Sequence, residues 1–501
     1  MAQINTNVNA MIAQRVLGQQ NQSLNQSLER LSTGLRINRG ADDPAGLIAS
    51  ENLRSEKAAI GAAISNAERA DQVVNVAEGA LQEINALLLE AQSLVNQTAN
   101  DAGLSAEEKE ANQEQLDSIL QTIDRIAAST SFQGTQLLNG TMDFTVSGQN
   151  SAVESLTIHG GTLGNDNRDI EVQITQSAHH GAVFLSTGGA LDLSANADDP
   201  DPRFSFELMG TAGARLFEFA DGTTLTGMAD QINNFTDVTG VSATVSGGGL
   251  SMRSTDFGSN QFVSVSMIGH AGQDGGIMRM EEDDNNAADD GTNIDFADMG
   301  AAFRAEGQDV GAVVNGVTAR GVGQELRINS DALSLSMRLD EDQAQALGSF
   351  TAATITGGGA HFSLGARVNQ GSEVRLGLAS VATHNLGSQA NGFLNELRSG
   401  NAANIVDGDL GDAQKILDDT IRGVSSMRGR LGSFQQNIVR STINSLSVTL
   451  ENLSAAESAI RDADFAAETA NMTRSQILAQ AAMNSLVMAN RQPQDVLALL
   501  G

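Results

Sequence analysis

The chain of 501 residues contains no cysteine, no tryptophan and no tyrosine. Without cysteine it forms no disulfide, no thiolate metal site and no cysteine nucleophile. With phenylalanine as its only aromatic, it lacks the stacking platforms that single-stranded nucleic acid needs. Positive charge is scarce: 29 Lys and Arg stand against 61 Asp and Glu, a formal net charge of −32. Phosphate binding and polybasic membrane anchoring both require clustered cations, so neither nucleic acid nor membrane insertion is expected. No apolar run reaches the about 18 residues of a membrane span. The start, Met1-Ala-Gln-Ile-Asn-Thr-Asn7, has no Lys or Arg and no apolar stretch of signal-peptide length. The expectation is a chain that stays inside or leaves by a route other than general secretion.

What is present falls into three zones, and the length allows about three or four domains. Nine of the 52 glycines precede residue 146, nine follow residue 380, and the other 34 lie between. That middle zone holds 31 acids against 11 arginines, so it carries −20 of the total charge. The two ends resemble each other, and the centre is a different material.

The ends read as long helices. Leu17, Leu24, Leu28, Leu31 and Leu35 follow the seven-four-three-four spacing of a coiled-coil seam. Asp43-Pro44 reads as an N-cap followed by proline at the first helical position. An Ala-rich helix then extends to about Thr98, with Val73, Val76, Leu81, Ile84, Leu87, Leu88, Leu94 and Val95 as its apolar residues. Ser105-x-x-Glu108 fits a capping box opening a further helix. Near the other end, Val439, Ile443, Leu446, Leu450 and Leu453 mark a helix of about 30 residues. Another helix is expected from about Phe465 to Asn490, broken at Pro493, with an apolar tail to Leu500. The polar faces are Asn, Gln, Ser and Thr, as in Gln19-Gln-Asn-Gln-Ser23, so ion pairs along the helices are few. Such helices are marginal alone. The partner expected for the first is the last, and beyond that, neighbouring molecules.

The middle reads as β. Residues 204–208, 241–245, 250–253, 262–265 and 333–337 alternate apolar and polar side chains, and Gly-rich turns separate them. A helical interlude is expected from Leu225 to Phe235. The fold class is therefore α+β and multidomain: long terminal helices forming a coiled-coil-like core and helical bundle, with an inserted Gly-rich, mainly antiparallel β region.

The chain resembles a bacterial flagellin at both ends. The resemblance rests on Asn5-Thr-Asn7, Leu31-Ser-Thr-Gly-Leu-Arg-Ile-Asn38, Ala41-Asp-Asp-Pro-Ala-Gly-Leu47, Ala77-Glu-Gly-Ala-Leu81 and Phe132-Gln-Gly134. In the C-terminal zone it rests on Ile460-Arg-Asp-Ala-Asp464, Gln476-Ile-Leu478, Ala489-Asn490 and Pro493-Gln-x-Val496-Leu-x-Leu-Leu500. Residues 223–245 are similar to the less specific "IN" motif of flagellin and hook-associated outer domains.

The resemblance implies a subunit that polymerises into the flagellar filament, performs no chemistry and uses no cofactor. It implies an inner domain of residues 1–42 with 460–501, a helical domain of 43–165 with 380–459, and an outer region of 166–379. Subunit contacts would fall on Leu17, Leu24, Leu28, Leu31 and Leu35, and on Ile477, Leu486, Val496, Leu499 and Leu500. Arg36, Arg39, Asp42 and Asp43 would pair charges at the inner-to-outer junction. Export through the flagellar type III route, an extracellular location, and an export chaperone, filament cap and hook–filament junction proteins as partners follow from the same resemblance. Leu94 matches a position in the region sensed by a vertebrate innate receptor, but Glu90 stands where an arginine is expected, so weak or absent receptor activation is implied.

Other signals lead nowhere. The six histidines include His179-His180, but no H-E-x-x-H occurs and no nucleophile–base pair is evident, so no metal site is expected. The run Glu281–Gly291 lacks the order of a calcium loop and reads as a solvated acidic loop. The alternative readings are a hook-associated or hook–filament junction protein, or a filament-displayed adhesin.

Overall fold

The computed structural model describes residues 6–100, 103–161, 167–193, 202–280, 293–330 and 332–500, with side chains as far as Arg491. The Glu281–Gly291 run lies outside the described residues. The helices are α1 (Val8–Thr33), α2 (Pro44–Thr98), α3 (Ala106–Ser129), α4 (Leu225–Asn233), α5 (Thr236–Thr239), α6 (Glu341–Gln345), α7 (Leu410–Ser433), α8 (Arg440–Arg461) and α9 (Phe465–Leu500). Among the described residues no helix is long and apolar enough to cross a membrane.

Local chemistry places several boundaries where the sequence put them. Asp43 Oδ1 accepts from the Gly46 N–H at 2.9 Å, capping α2, whose first residue is Pro44. The Ser105–Glu108 capping box closes in both directions, at 3.3 and 2.8 Å. α2 ends at Thr98 after 55 residues. Two expectations are corrected. The helix read at about 30 residues is the second part of a longer one, because a π-helical turn, Phe434–Val439, carries α7 into α8 without a break. And α9 does not stop at Pro493 but runs on to Leu500. A proline deletes one backbone bond, and the carbonyl it deprives, that of Ala489, receives a hydrogen bond from Asn7 Nδ2 at 2.7 Å.

The chain divides into two compact units. The first comprises residues 1–72, 363–372 and 432–501. There α1 packs antiparallel on α9, and the first half of α2 runs antiparallel to α8 and the π-helical turn before it, through Lys57–Glu457 (2.9 Å), Arg461–Glu51 (2.9 Å) and Gln435–Asp71 (2.8 Å).

The second unit comprises residues 73–362 and 373–431. Its helical part joins α2, α3 and α7 through a core of Leu81, Ile84, Leu88, Leu116, Leu120, Ile123, Ile416 and Leu417, all at most 1% exposed. In this unit the buried stripe of α2 runs through Val74, Ala77, Leu81, Ile84 and Leu88, a three-four alternation. Val76, expected in that stripe, is exposed, and Ala77 takes the seam instead. Polar groups on α3 then grip the returning segment around the 3-10 turn Leu394–Leu397: Gln113 donates to Leu397 O and accepts from Ile405 N–H, both at 2.9 Å, and Asp124 pairs with Arg398.

The β part of this unit is antiparallel in every pairing described. One ten-stranded sheet orders its strands 360–363, 373–376, 153–161, 333–339, 325–329, 317–322, 311–314, 168–176, 348–358 and 144–147. Residues 182–306 form a separate module, in which a four-stranded and a five-stranded sheet share one core with α4. That core uses the chain's scarce aromatic rings: Phe204, Phe206, Phe217, Phe219 and Phe296, with edge-on and tilted contacts at 5.3–6.1 Å. The strands read at 204–208, 241–245, 250–253, 262–265 and 333–337 all form, and α4 is the helical interlude.

Candidate assembly surface

The α1–α9 pair is held by a sparse seam. On α9 the least exposed positions are Glu468, Met472, Ser475, Ala479, Ala482, Leu486 and Ala489, spaced alternately four and three apart. On α1 the facing positions are Ala10, Ala13, Leu17, Gln20, Leu24, Ser27 and Leu31, with Val16, Glu29 and Arg30 half-buried beside them. Small residues let two backbones approach closely, but each methyl buried contributes only about 0.8 kcal/mol. Only Ser27 of α1 is fully buried. One ion pair, Arg30–Glu468 at 3.8 Å, spans the seam where Glu468 is nearly buried.

Much apolar surface is left outside this seam. Val8, Met11, Ile12 and Leu28 of α1 and Phe465, Ile477, Leu478, Met483, Val487 and Met488 of α9 are exposed. A shallow, largely apolar groove runs along α9 past Phe465, Ala466, Thr469, Ala470, Thr473, Arg474, Ile477 and Leu478. A second lies between the two helices, lined by Ile12, Ala13, Val16, Leu478, Ala481 and Ala482. Of the residues singled out from sequence, Leu17, Leu24 and Leu31 line the seam, Leu486 is half-buried, and Leu28 and Ile477 face outward. The side chains of Val496, Leu499 and Leu500 lie outside the described residues.

The junction after α1 is tightly wired within the chain. Gly34 caps α1 in the left-handed conformation (φ 73°), and its carbonyl accepts from the Ala463 N–H. Leu35 bridges to Asp462, the Arg36 N–H donates to Arg461 O, and the Arg36 guanidinium donates to Ile460 O at 2.6 Å. Arg39 pairs with Glu29 at 3.0 Å. Asp42 accepts from the Arg39 and Asn38 amides and from Gln26, and the Arg39 amide foremost holds its carboxyl below the usual carboxylate range. A Cβ at Gly46 would lie 2.4 Å from Asp43 Oδ2 and 2.7 Å from Ile37 Cδ1, so a larger residue there would have to displace the capping carboxylate. Thus Arg36, Arg39, Asp42 and Asp43 are each engaged inside the subunit.

Sequence reasoning missed the neighbouring belt. Glu51 accepts from Arg54 (2.8 Å) and Arg461 (2.9 Å), which hold its pKa down, and Glu457 accepts from Lys57. Partners some 400 positions apart leave no local signal.

In the second unit, Glu90 is exposed and accepts from Gln115 Nε2 at 3.1 Å, whereas Leu94 is only 5% exposed, inside the helical core. Among the described residues no cluster of His, Asp and Glu could hold a metal ion. His159 is half-buried beside Ser336 Oγ (3.1 Å), and desolvation, reinforced by the Arg430 and Arg327 charges, lowers its pKa to about 4. His180 packs on Phe257 with ring centroids 3.7 Å apart.

Comparison with known proteins gives three family matches: the bacterial flagellin N-terminal helical region over residues 4–143, the C-terminal helical region over 414–500, and the flagellin hook IN motif over 206–256. The chain is similar to flagellin B of Helicobacter pylori, 30% identical over 532 residues that cover 99% of each chain. It is similar to the flagellin of Salmonella typhimurium, 29% identical over 525 residues and the whole of both chains. Among solved structures it is similar to the flagellar cap protein D1-D2-D3 domains from Escherichia coli, at 13% identity over 73% of this chain and 74% of that one, with a TM-score of 0.25.

Proposed function

The chain belongs to the flagellin family and is a structural subunit of the bacterial flagellar filament, an extracellular appendage, and from that premise we propose how it is built in. Residues 1–42 with 460–501 form the inner domain of the polymer, 43–165 with 380–459 the helical domain around it, and 166–379 the surface region. The observation that carries this reading is the exposed apolar face of α1 and α9, with Met488 73%, Ile477 64% and Met11 63% exposed in the single chain. A heterologous contact that does not close generates an open helical lattice, and this face supplies one side of it. Because the α1–α9 seam is sparse, the ends order fully only on incorporation. Chains without disulfides and with marginal ends suit threading through a narrow export channel, which fits the type III route. An export chaperone, the filament cap and the junction proteins are the partners that such a route requires. The protein acts without catalysis. A junction-protein role is disfavoured, because the relatives matched along their whole length are flagellins.

Glu90 at an exposed helical position would place an anion where the sensed relatives present a cation, so the monomer is a weak agonist of the innate receptor. Strong signalling by purified monomer in a reporter cell refutes that.

The main test is Ile477→Asp. A charge at an outward position leaves the monomer's melting unchanged but raises the critical concentration for polymerisation at least tenfold. Filaments that grow as readily from Ile477→Asp as from wild type show that this face is not an assembly contact.

A further inference from the structure

Asn7 stands immediately before α1 and does two things with one amide. Its Oδ1 accepts from the Ala10 N–H at 3.0 Å, capping α1. Its Nδ2 donates to the carbonyl of Ala489 at 2.7 Å, across 482 positions of sequence. In an α-helix the Ala489 carbonyl belongs to the N–H of residue 493. Residue 493 is proline, which has none, and α9 nevertheless continues to Leu500. The carbonyl that Asn7 reaches is therefore the one that Pro493 leaves without its helical donor. Orphaned backbone carbonyls in a partly buried setting are costly unless paired, and this one marks a single point along α9. A shift of α1 by one turn against α9 would separate donor and acceptor by about 5 Å.

We infer that Asn7 and Pro493 form a register latch: the proline opens one addressed acceptor on α9, and Asn7, by filling it, fixes how the two chain ends align before neighbours pack on them. Asn is suited to this because its side chain accepts and donates at once. Asp, an equally good N-cap, would keep the bond from Ala10 and set a carboxylate against the carbonyl. The inference rests on the filament reading only for where the aligned pair is used.

The test is polymerisation of the full-length chain carrying Asn7→Asp, Pro493→Ala or both. In the Pro493 background, Asn7→Asp raises the critical concentration roughly fivefold or more, the scale of one lost hydrogen bond with its acceptor left unpaired. In the Pro493→Ala background the N–H of residue 493 returns to Ala489, and Asn7→Asp changes the critical concentration less than about twofold. An equal effect in the two backgrounds, or none in either, overturns the latch. Should Pro493→Ala not polymerise, wild-type filaments labelled with 13C at alanine carbonyls and 15N at asparagine side chains decide instead. A strong dipolar contact between Asn7 Nδ2 and the Ala489 carbonyl carbon is expected, and its absence overturns the proposal. Failure of the wild-type chain to polymerise at all would count against the filament reading, not the latch.

Discussion

The terminal helix pair and the Phe-rich module of residues 182–306 spend their apolar residues in opposite ways. The module hides Phe204, Phe206 and Phe219 to 1% exposure or less, inside a core that needs nothing but its own chain. The helix pair fully buries only Ala and Ser and one Glu along its internal seam, leaves the seam's Leu and Met half-buried, and turns Met11, Ile12, Ile477, Leu478 and Met488 outward. One region buries its large apolar side chains within the chain, and the other leaves many of them exposed.

The contrast can be broken at several points, in order of expected effect. Deleting residues 1–42 and 460–501 should abolish filaments entirely, seen by electron microscopy and sedimentation, while calorimetry still finds the β module melting as in the full chain. Long fibres from that truncation would show that the termini are not the assembly element. Phe206→Ala should cost the module about 3–5 kcal/mol of unfolding free energy, measured with denaturant. Its critical concentration for polymerisation should stay within about twofold of wild type, because the module's core is not the lattice contact.

Acid should discriminate the regions as well. His159 is neutral in the folded chain, its pKa lowered from 6.5 to about 4 by burial first and the Arg430 and Arg327 charges next. The unfolded chain therefore binds the extra proton between those values. Stability is complete above about pH 6.5, falls as the pH drops towards 4, and loses nothing further below that on this account, about 3 kcal/mol at most. Asp143, whose carboxyl burial pushes up, works in the opposite sense and offsets part of the loss. A His159→Gln variant should flatten the profile of the ten-stranded sheet, read as denaturant midpoint against pH. A profile unchanged by that substitution would remove His159 as the cause.

The smallest effect expected is at the junction. Asp43→Ala removes the α2 cap and should lower helical stability by about 1 kcal/mol. Arg36→Ala removes the bond to Ile460 O. If both variants assemble and swim like wild type, the segment from Asn38 to Leu47 is a linker and its charges have no role between subunits.

Much of the helical zone was legible because its signals are local. The cap at Asp43, the box at Ser105–Glu108 and the end of α2 at Thr98 each need only a few neighbouring residues. The strands of the middle were legible for the same reason, since alternation within five residues reveals them. The assembly residues were half legible. Leu17, Leu24 and Leu31 line the seam, but Leu28 faces away, because Ser27 takes the inward position and a leucine-only pattern cannot register a serine. On α2 the same bias favoured Val76 over the buried Ala77.

Composition and periodicity determined by themselves that the chain has helical ends, a β middle and no thiol chemistry, and short terminal motifs carried the resemblance to flagellins, since these are properties of residues and their near neighbours. Tertiary structure decided the rest. It settled which methyl groups close the seam, which lysine meets which glutamate some 400 positions away, the order of ten strands, and how a helix passes through proline. Each of those depends on a group supplied from far along the chain, and no short window of sequence contains both members of such a pair.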